Sequence, residues 1–260
     1  MTMNILAVGD VCGKVGVDTI CRLLPGLRRL YNISYCVANG ENANGTGISP
    51  DNAEELFTHG VDVITLGNHS WGQKNALGFL DECRYILRPA NYAAGAPGRG
   101  WGIFDGGFGE ICVINLIGQF KMEEYSDNPF YKIDKLLEKP EIKACKIILV
   151  DLHGEATSEK IAMGLYLNGR ATAVWGTHTH VQTSDANVLS GGTGYITDLG
   201  MTGSCDGVIG ISAEDAFTRF LGIPREKRTP APAPGKLEGV VFEVDTDTGR
   251  CTAAQAIRVE

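Results

Sequence analysis

The stretch "NILAVGDVCGKVG", residues Asn4 to Gly16, reads as a short apolar strand that ends on a carboxylate, Asp10, and turns through glycine toward a helix. Apolar residues at Ile20, Leu23, Leu24, Leu27 and Leu30 then follow helical spacing, which predicts a helix over Val17–Leu30 with a kink or break at Pro25–Gly26. Tyr35–Ala38 returns as a second strand, so the chain opens with a βαβ unit. Outward from it, Ser49 and Pro50 have the residue types of an N-cap and a first helical position, and Gly60 closes that helix. Val61–Leu66 is a third strand.

The later chain keeps this grammar but adds hairpins. Trp101–Phe104 and Ile111–Leu116 flank a glycine-rich turn, and Leu237–Val244 and Thr252–Val259 form an antiparallel pair around "DTDTG". Ile147–Asp151, Ala171–Trp175 and Tyr195–Thr197 are strands. Ser158–Leu167, with Ser158 near its cap, and Asp215–Leu221 are helices, and "REKRTPAPAPGK" is a Pro-rich surface connection. No internal repeat or domain break interrupts the pattern. The expectation is one α/β domain over residues 1–260, with two stacked mixed β-sheets and helices outside.

Composition narrows the function classes. With 43% hydrophobic and 21% charged residues the chain is an ordinary globular one. A net charge of −8 with no dense Lys/Arg cluster argues against duplex nucleic acid as a partner. No run of apolar residues is long enough to span a membrane, and "MTMNILAVGD" reads as a first strand and not a signal peptide. None of the eight cysteines falls in a C-x-x-C spacing, so a cysteine-type zinc site is not expected and a cytoplasmic location is.

Chemistry-bearing residues gather just after predicted strands. The segments are "AVGDVCGKVG", "VANGENANGTG", "ITLGNHSWGQ", "ILVDLHGEATSEK" and "VWGTHTHVQT". Sites in α/β sheets collect at the carboxyl ends of strands. Asp10 and Glu41 bring carboxylates, Asn68 a carbonyl, and His153, His178 and His180 imidazoles. This mixed nitrogen and oxygen set exceeds what one open metal position needs and suits two divalent ions, with Glu41 as the natural bridge. Two such ions outweigh both carboxylates and a bridging hydroxide by about one charge, which suits a phosphate, and they bring the pKa of bound water to roughly 7. Asn42 is left open between ligand and supporting residue. His69, next to Asn68, would point the opposite way on an extended segment and can serve as a general acid.

Blander readings exist for each. Asp10, Glu41 and Asn42 also suit turns, His59 suits a helix end, and Trp71 and Trp175 suit packing. "GDVCGKVG" lacks the spacing and the Ser/Thr of a phosphate loop. Asp198 in "GYITDLGMTG" has no assigned role.

Taken in order, "GDVCGKVG", "NGENANGTGI", "LGNHSWGQK", "DLHGEATSEK", "GTHTHVQT" and "DLGMTG" resemble the YmdB-like branch of the calcineurin-like metallophosphoesterases over almost the whole chain. The usual Asp-x-His opening is replaced here by Asp10-Val11-Cys12, and the usual bridging Asp by Glu41. The resemblance implies a four-layer αββα sandwich. It implies one metal on Asp10, Glu41 and His180, a second on Glu41, Asn68, His153 and His178, Asn42 close to the pair, and His69 as catalytic acid. It further implies phosphodiesterase activity, including on 2′,3′-cyclic nucleotides, by attack of a metal-bridging hydroxide, and iron or manganese as the ions; the donor set alone also admits zinc. A small phosphodiester is thus the expected substrate. A phosphomonoesterase with the same metals is one alternative. Another is a regulatory binding protein that keeps the site and has a link to RNA turnover. A homo-oligomer is left open.

Overall fold

The strand Thr2–Val8 is apolar on both faces because it divides two cores. Ile5 and Ala7 enter one core, Leu6 and Val8 the other, and all four are buried. A strand covered on both sides reads as continuous hydrophobicity and not as alternation. In a computed structural model that describes residues 1–224 and 229–260, this strand lies inside an eight-stranded sheet. It runs parallel to Ile33–Asn39, which is parallel to Val63–Thr65, and antiparallel to Gly235–Asp245. Gly235–Asp245 pairs in turn with Cys251–Val259, as expected from their sequence.

A second, six-stranded sheet holds Glu110–Ile117, Ile147–His153 and Ala173–Thr177 as parallel neighbours. Trp101–Asp105 joins its edge as the predicted hairpin. The two sheets stack through Ile5, Val37, Val113 and Leu149, with the Trp175 and Phe242 rings stacked at 6.0 Å across the interface. Helices Gly13–Leu30 and Pro50–Thr58 cover the outer face of the first sheet with Ile20, Leu24 and Leu56. Helices Pro129–Leu137 and Thr157–Tyr166 cover the second with Ile133, Leu136 and Met163. The architecture is therefore αββα, in four layers.

Two local expectations are corrected. The first helix begins at Gly13 and runs unbroken through Pro25 to Leu30. Ile20, Leu24 and Leu27 anchor it to the sheet on both sides of the proline, which holds the helix together where a ladder hydrogen bond is missing. The helix expected at Ser158 starts at Thr157 on an uncapped Ala156. Ser158 lies inside the first turn. Glu159 is turned away to accept from the amides of Gln119 and Phe120. Elsewhere capping chemistry holds: the Ser49 hydroxyl accepts from the Asn52 amide at 3.2 Å. The first four residues of the Pro-rich connection, 225–228, lie outside the described residues. All eight cysteines are free, and no described helix is long and apolar enough to cross a membrane.

Candidate metal centre

The parallel strands of both sheets point their carboxyl ends at one place. Thr2–Val8 leads to Asp10, Ile33–Asn39 to Glu41 and Val63–Thr65 to Asn68. From the second sheet, Ile147–His153 ends on His153 and Ala173–Thr177 leads to His178. Sequence separation of up to 168 residues vanishes there: the His178 amide donates to Asp10 Oδ2 at 3.1 Å.

His153 is the hub and is fully buried. Its Nε2 lies 3.0 Å from Asn68 Oδ1, 3.2 Å from Glu41 Oε1 and 3.0 Å from His178 Nδ1. Its Nδ1 lies 2.9 Å from the Thr177 hydroxyl, which donates to Asp151 Oδ1 at 2.8 Å. Thr177 and Asp151 thus orient the ring from behind and leave Nε2 for the centre, the arrangement expected of a metal-binding imidazole. Asn39 adds to this support, its Oδ1 accepting from the Glu41 amide at 3.1 Å.

A second group adjoins the first. His180 Nε2 is 3.2 Å from Asn42 Oδ1 and 3.7 Å from Asp10 Oδ1. Asp10 Oδ1 is also 4.0 Å from His153 Nδ1, is buried, and has no hydrogen-bond partner. Burial pushes the Asp10 carboxyl up to about 7. Burial opposes charge on Glu41 as well, but the His153 and His69 imidazoles outweigh it and hold that carboxyl well below the usual range. Burial would lower His153, yet the carboxylates of Glu41 and Asp10 raise it to about 9. His178 and His180 are pushed down to about 4, chiefly by burial.

These atoms are nearly all electron-pair donors, and they face one another across distances that only protons or cations can bridge favourably. Glu41, His153 and His178 alone place ligand atoms within 4.8 Å of one another, among the described residues. The orphaned Asp10 oxygen extends that set toward His180 and Asn42. The chemistry of the donors fits divalent metal ions.

Asp10, Glu41, Asn42, Asn68, His69, His153, His178 and His180, the candidate site residues of the sequence, lie together here. One part of that reading is corrected. Asn68 and His69 lie in a turn and not on an extended strand, so they do not point apart. Asn68 Nδ2 is 3.4 Å from His69 Nε2, and both side chains lie in the same cluster. His69 Nδ1 lies 3.4 Å from Glu41 Oε1 and 3.2 Å from Asn42 Nδ2. The ring is 38% exposed, at the mouth of the site. Its hydrogen bond to Glu41 raises its pKa. His59 and the tryptophans take their blander roles: His59 Nδ1 lies 2.8 Å from Glu55 O at a helix end, and Trp175 is core.

Sequence reading missed the supports. Asn39, Asp151 and Thr177 sit one or two places from a candidate ligand, a spacing that was the available signal. Asp198, just past a strand in a glycine-rich loop, was placed near the site with its role open, and Lys160 had no signal. Lys160 Nζ donates to Asp198 Oδ2 at 2.6 Å with both side chains 1% exposed, and Asp198 accepts from the amide and hydroxyl of Thr179. Thr179 lies between two histidines held at positive φ, 103° at His178 and 63° at His180. Such backbone is costly for a residue with a Cβ and persists only where its surroundings impose it. The Lys160–Asp198 grip on Thr179 and the Asp10 grip on the His178 amide do so.

Gly67 is needed for space. A Cβ there would run into Glu41 Oε2 and the His153 ring. Gly67→Ala is expected to weaken metal binding about 10–100-fold, the range for disturbed ligand surroundings, with the circular dichroism of the fold retained. Wild-type Mn²⁺ affinity in that variant, measured by calorimetry, would refute the packing argument.

The family model described as YmdB-like protein matches residues 6–257. A protein of Bacillus subtilis (strain 168) named 2′,3′-cyclic-nucleotide 2′-phosphodiesterase is 40% identical over 258 residues, which cover 99% of this chain and 97% of that protein. A crystal structure described as a novel phosphatase of Mycoplasma pneumoniae superposes with a TM-score of 0.92 at 33% identity, covering 100% of this chain and 94% of the other. A putative 5′-nucleotidase from Staphylococcus aureus, 19% identical, superposes at 0.66 over 100% of this chain and 54% of its own, a likeness of fold alone.

Proposed function

The chain belongs to the YmdB-like family, and from that premise we propose that it is a metal-dependent phosphodiesterase whose substrates include 2′,3′-cyclic nucleotides. The observation that carries this reading is the convergence of Glu41, Asn68, His153, His178 and His180 on one buried point, with Asp10 Oδ1 beside them lacking any hydrogen-bond partner. Glu41, Asn68, His153 and His178 would hold one ion. Asp10, His180 and Glu41 would hold the other, with Asn42 beside the pair. The nitrogen and oxygen donors suit iron or manganese. When bound, the ions supply positive charge for the phosphoryl oxygens and bring water to a nucleophilic state near neutral pH.

The protein's own residues supply the rest. His69, drawn toward its protonated form by Glu41 and lying at the mouth, donates a proton to the leaving oxygen. From a 2′,3′-cyclic nucleotide, departure of the 2′-oxygen gives the 3′-phosphate. Asn42, 3.2 Å from both His69 Nδ1 and His180 Nε2, sets the acid against the metal-holding residues. Residues 1–260 act as a single domain in this reading, because the site takes side chains from both sheets. The free cysteines favour a reducing compartment, the cytoplasm.

The test uses protein stripped by chelator and reloaded with Mn²⁺ or Fe²⁺. Stripped protein is expected to be inactive. Reloaded protein is expected to hydrolyse bis(p-nitrophenyl) phosphate and 2′,3′-cyclic AMP faster than p-nitrophenyl phosphate, with 3′-AMP as the nucleotide product. Preference for the monoester would make it a phosphatase. Absence of turnover with either metal would leave a binding protein.

A further inference from the structure

A cleft of about 500 Å³ opens beside the metal centre. Its wall shares Cys12 and Asn42 with the surroundings of His180: Cys12 Sγ is 3.5 Å from His180 Nδ1, and Asn42 Oδ1 is 3.2 Å from Nε2. One imidazole ring therefore separates the cleft from the proposed ions. Val15, Ile211, Pro230 and Ala231 form an apolar side. That side is a built structure. Ile211 belongs to the hairpin of Gly207–Val208 with Ile211–Ser212, and it bridges to Pro230. The Ala231 amide donates to Gly210 O at 3.0 Å, and Ala231 is buried.

Resting on the diesterase reading above, we propose that this cleft holds the nucleoside of the substrate, its base against the apolar side, while the phosphate lies at the metal centre. The volume falls within the roughly 300–1,000 Å³ of small-molecule sites, and a mostly apolar wall is their usual lining. The geometry of a 2′,3′-cyclic phosphate fits as well. Its phosphorus is fused to the ribose that carries the base, so the base lies one sugar ring from the reacting centre. The cleft begins one ring from that centre. The apolar side offers a flat surface to the base, and Asn44, Thr46 and Ser204 line the same cleft with polar groups.

The experiment compares 2′,3′-cyclic AMP with glycerol 1,2-cyclic phosphate, which has the same five-membered cyclic diester and no base. Mn²⁺-loaded wild-type protein is expected to favour the nucleotide in kcat/KM by about tenfold or more. Ile211→Trp fills the cleft and Ile211→Ala thins its wall, and each is expected to collapse that ratio. Adenosine binding, followed by calorimetry, should weaken in both variants. An unchanged ratio with unchanged adenosine binding overturns the proposal, as does a wild-type protein indifferent to the base. Failure of wild-type protein to hydrolyse either diester, with adenosine bound and weakened by the variants, sustains the cleft and defeats the diesterase reading instead.

Discussion

His69→Ala is expected to lower kcat for phosphodiester hydrolysis by about 10²–10⁴-fold while the protein keeps its metal, the range typical for loss of a positioned proton donor. The argument rests on where the ring sits. His153 is fully enclosed, whereas the His69 side chain is 38% exposed, against 24% for His178 and 8% for His180. Its pKa is raised by a hydrogen bond to Glu41, while those of His178 and His180 are lowered by burial. Of His69, His178 and His180, only His69 sits where its surroundings favour the protonated form; His153, also raised, is enclosed. The effect should depend on the leaving group. A diester that expels p-nitrophenolate needs little protonation, so the variant should lose far less rate on it than on a 2′,3′-cyclic nucleotide, whose leaving group is an alkoxide. Equal losses on both substrates at matched metal content would count against a proton-donor role. Loss of metal from the variant would make His69 a ligand instead.

Lys160→Met is expected to cost about 3–5 kcal/mol in stability, the penalty for stranding one member of a buried ion pair. Lys160 and Asp198 are each 1% exposed, and the bond between them is 2.6 Å. Without the ammonium, Asp198 is a buried carboxylate facing only the amide and hydroxyl of Thr179 and the Gly200 amide. The loop that carries His178 and His180 at positive φ depends on that carboxylate, so metal affinity should fall together with stability. Removing the charge from both partners, in Lys160→Met with Asp198→Asn, should restore part of the stability because no unpaired charge is left inside. It should not restore metal affinity, because an amide oxygen grips Thr179 less firmly than a carboxylate does. Chemical denaturation and Mn²⁺ calorimetry on the single and double variants decide it. A single variant within 1 kcal/mol of wild type would show that the pair is not the support described.

Several strands were legible because each apolar run ends abruptly on glycine, asparagine or a charge. Asn4–Val8, Ile147–Asp151 and Ala171–Trp175 all fall on observed strands within a few residues. Errors came where the outcome depends on contacts made elsewhere. Pro25 does not interrupt its helix because leucines on either side of it are buried on the sheet. Ser158 does not cap its helix, and Glu159 nearby turns instead to the loop at Gln119. His69 does not face away from Asn68 because a turn, and not a strand, carries them both.

By itself the sequence determined which residues can bind a cation or move a proton, and that they follow strands. Side-chain chemistry and short-range hydrophobic periodicity are local properties, fully written in the order of residues. Only the tertiary structure decided that Asp10, Glu41 and Asn68 of one sheet meet His153 and His178 of the other. It alone placed Lys160 beneath Thr179 and set Ile211 and Pro230 around a cleft beside His180. Those distances depend on strand register and on how two sheets stack, which are fixed by packing between segments more than a hundred residues apart.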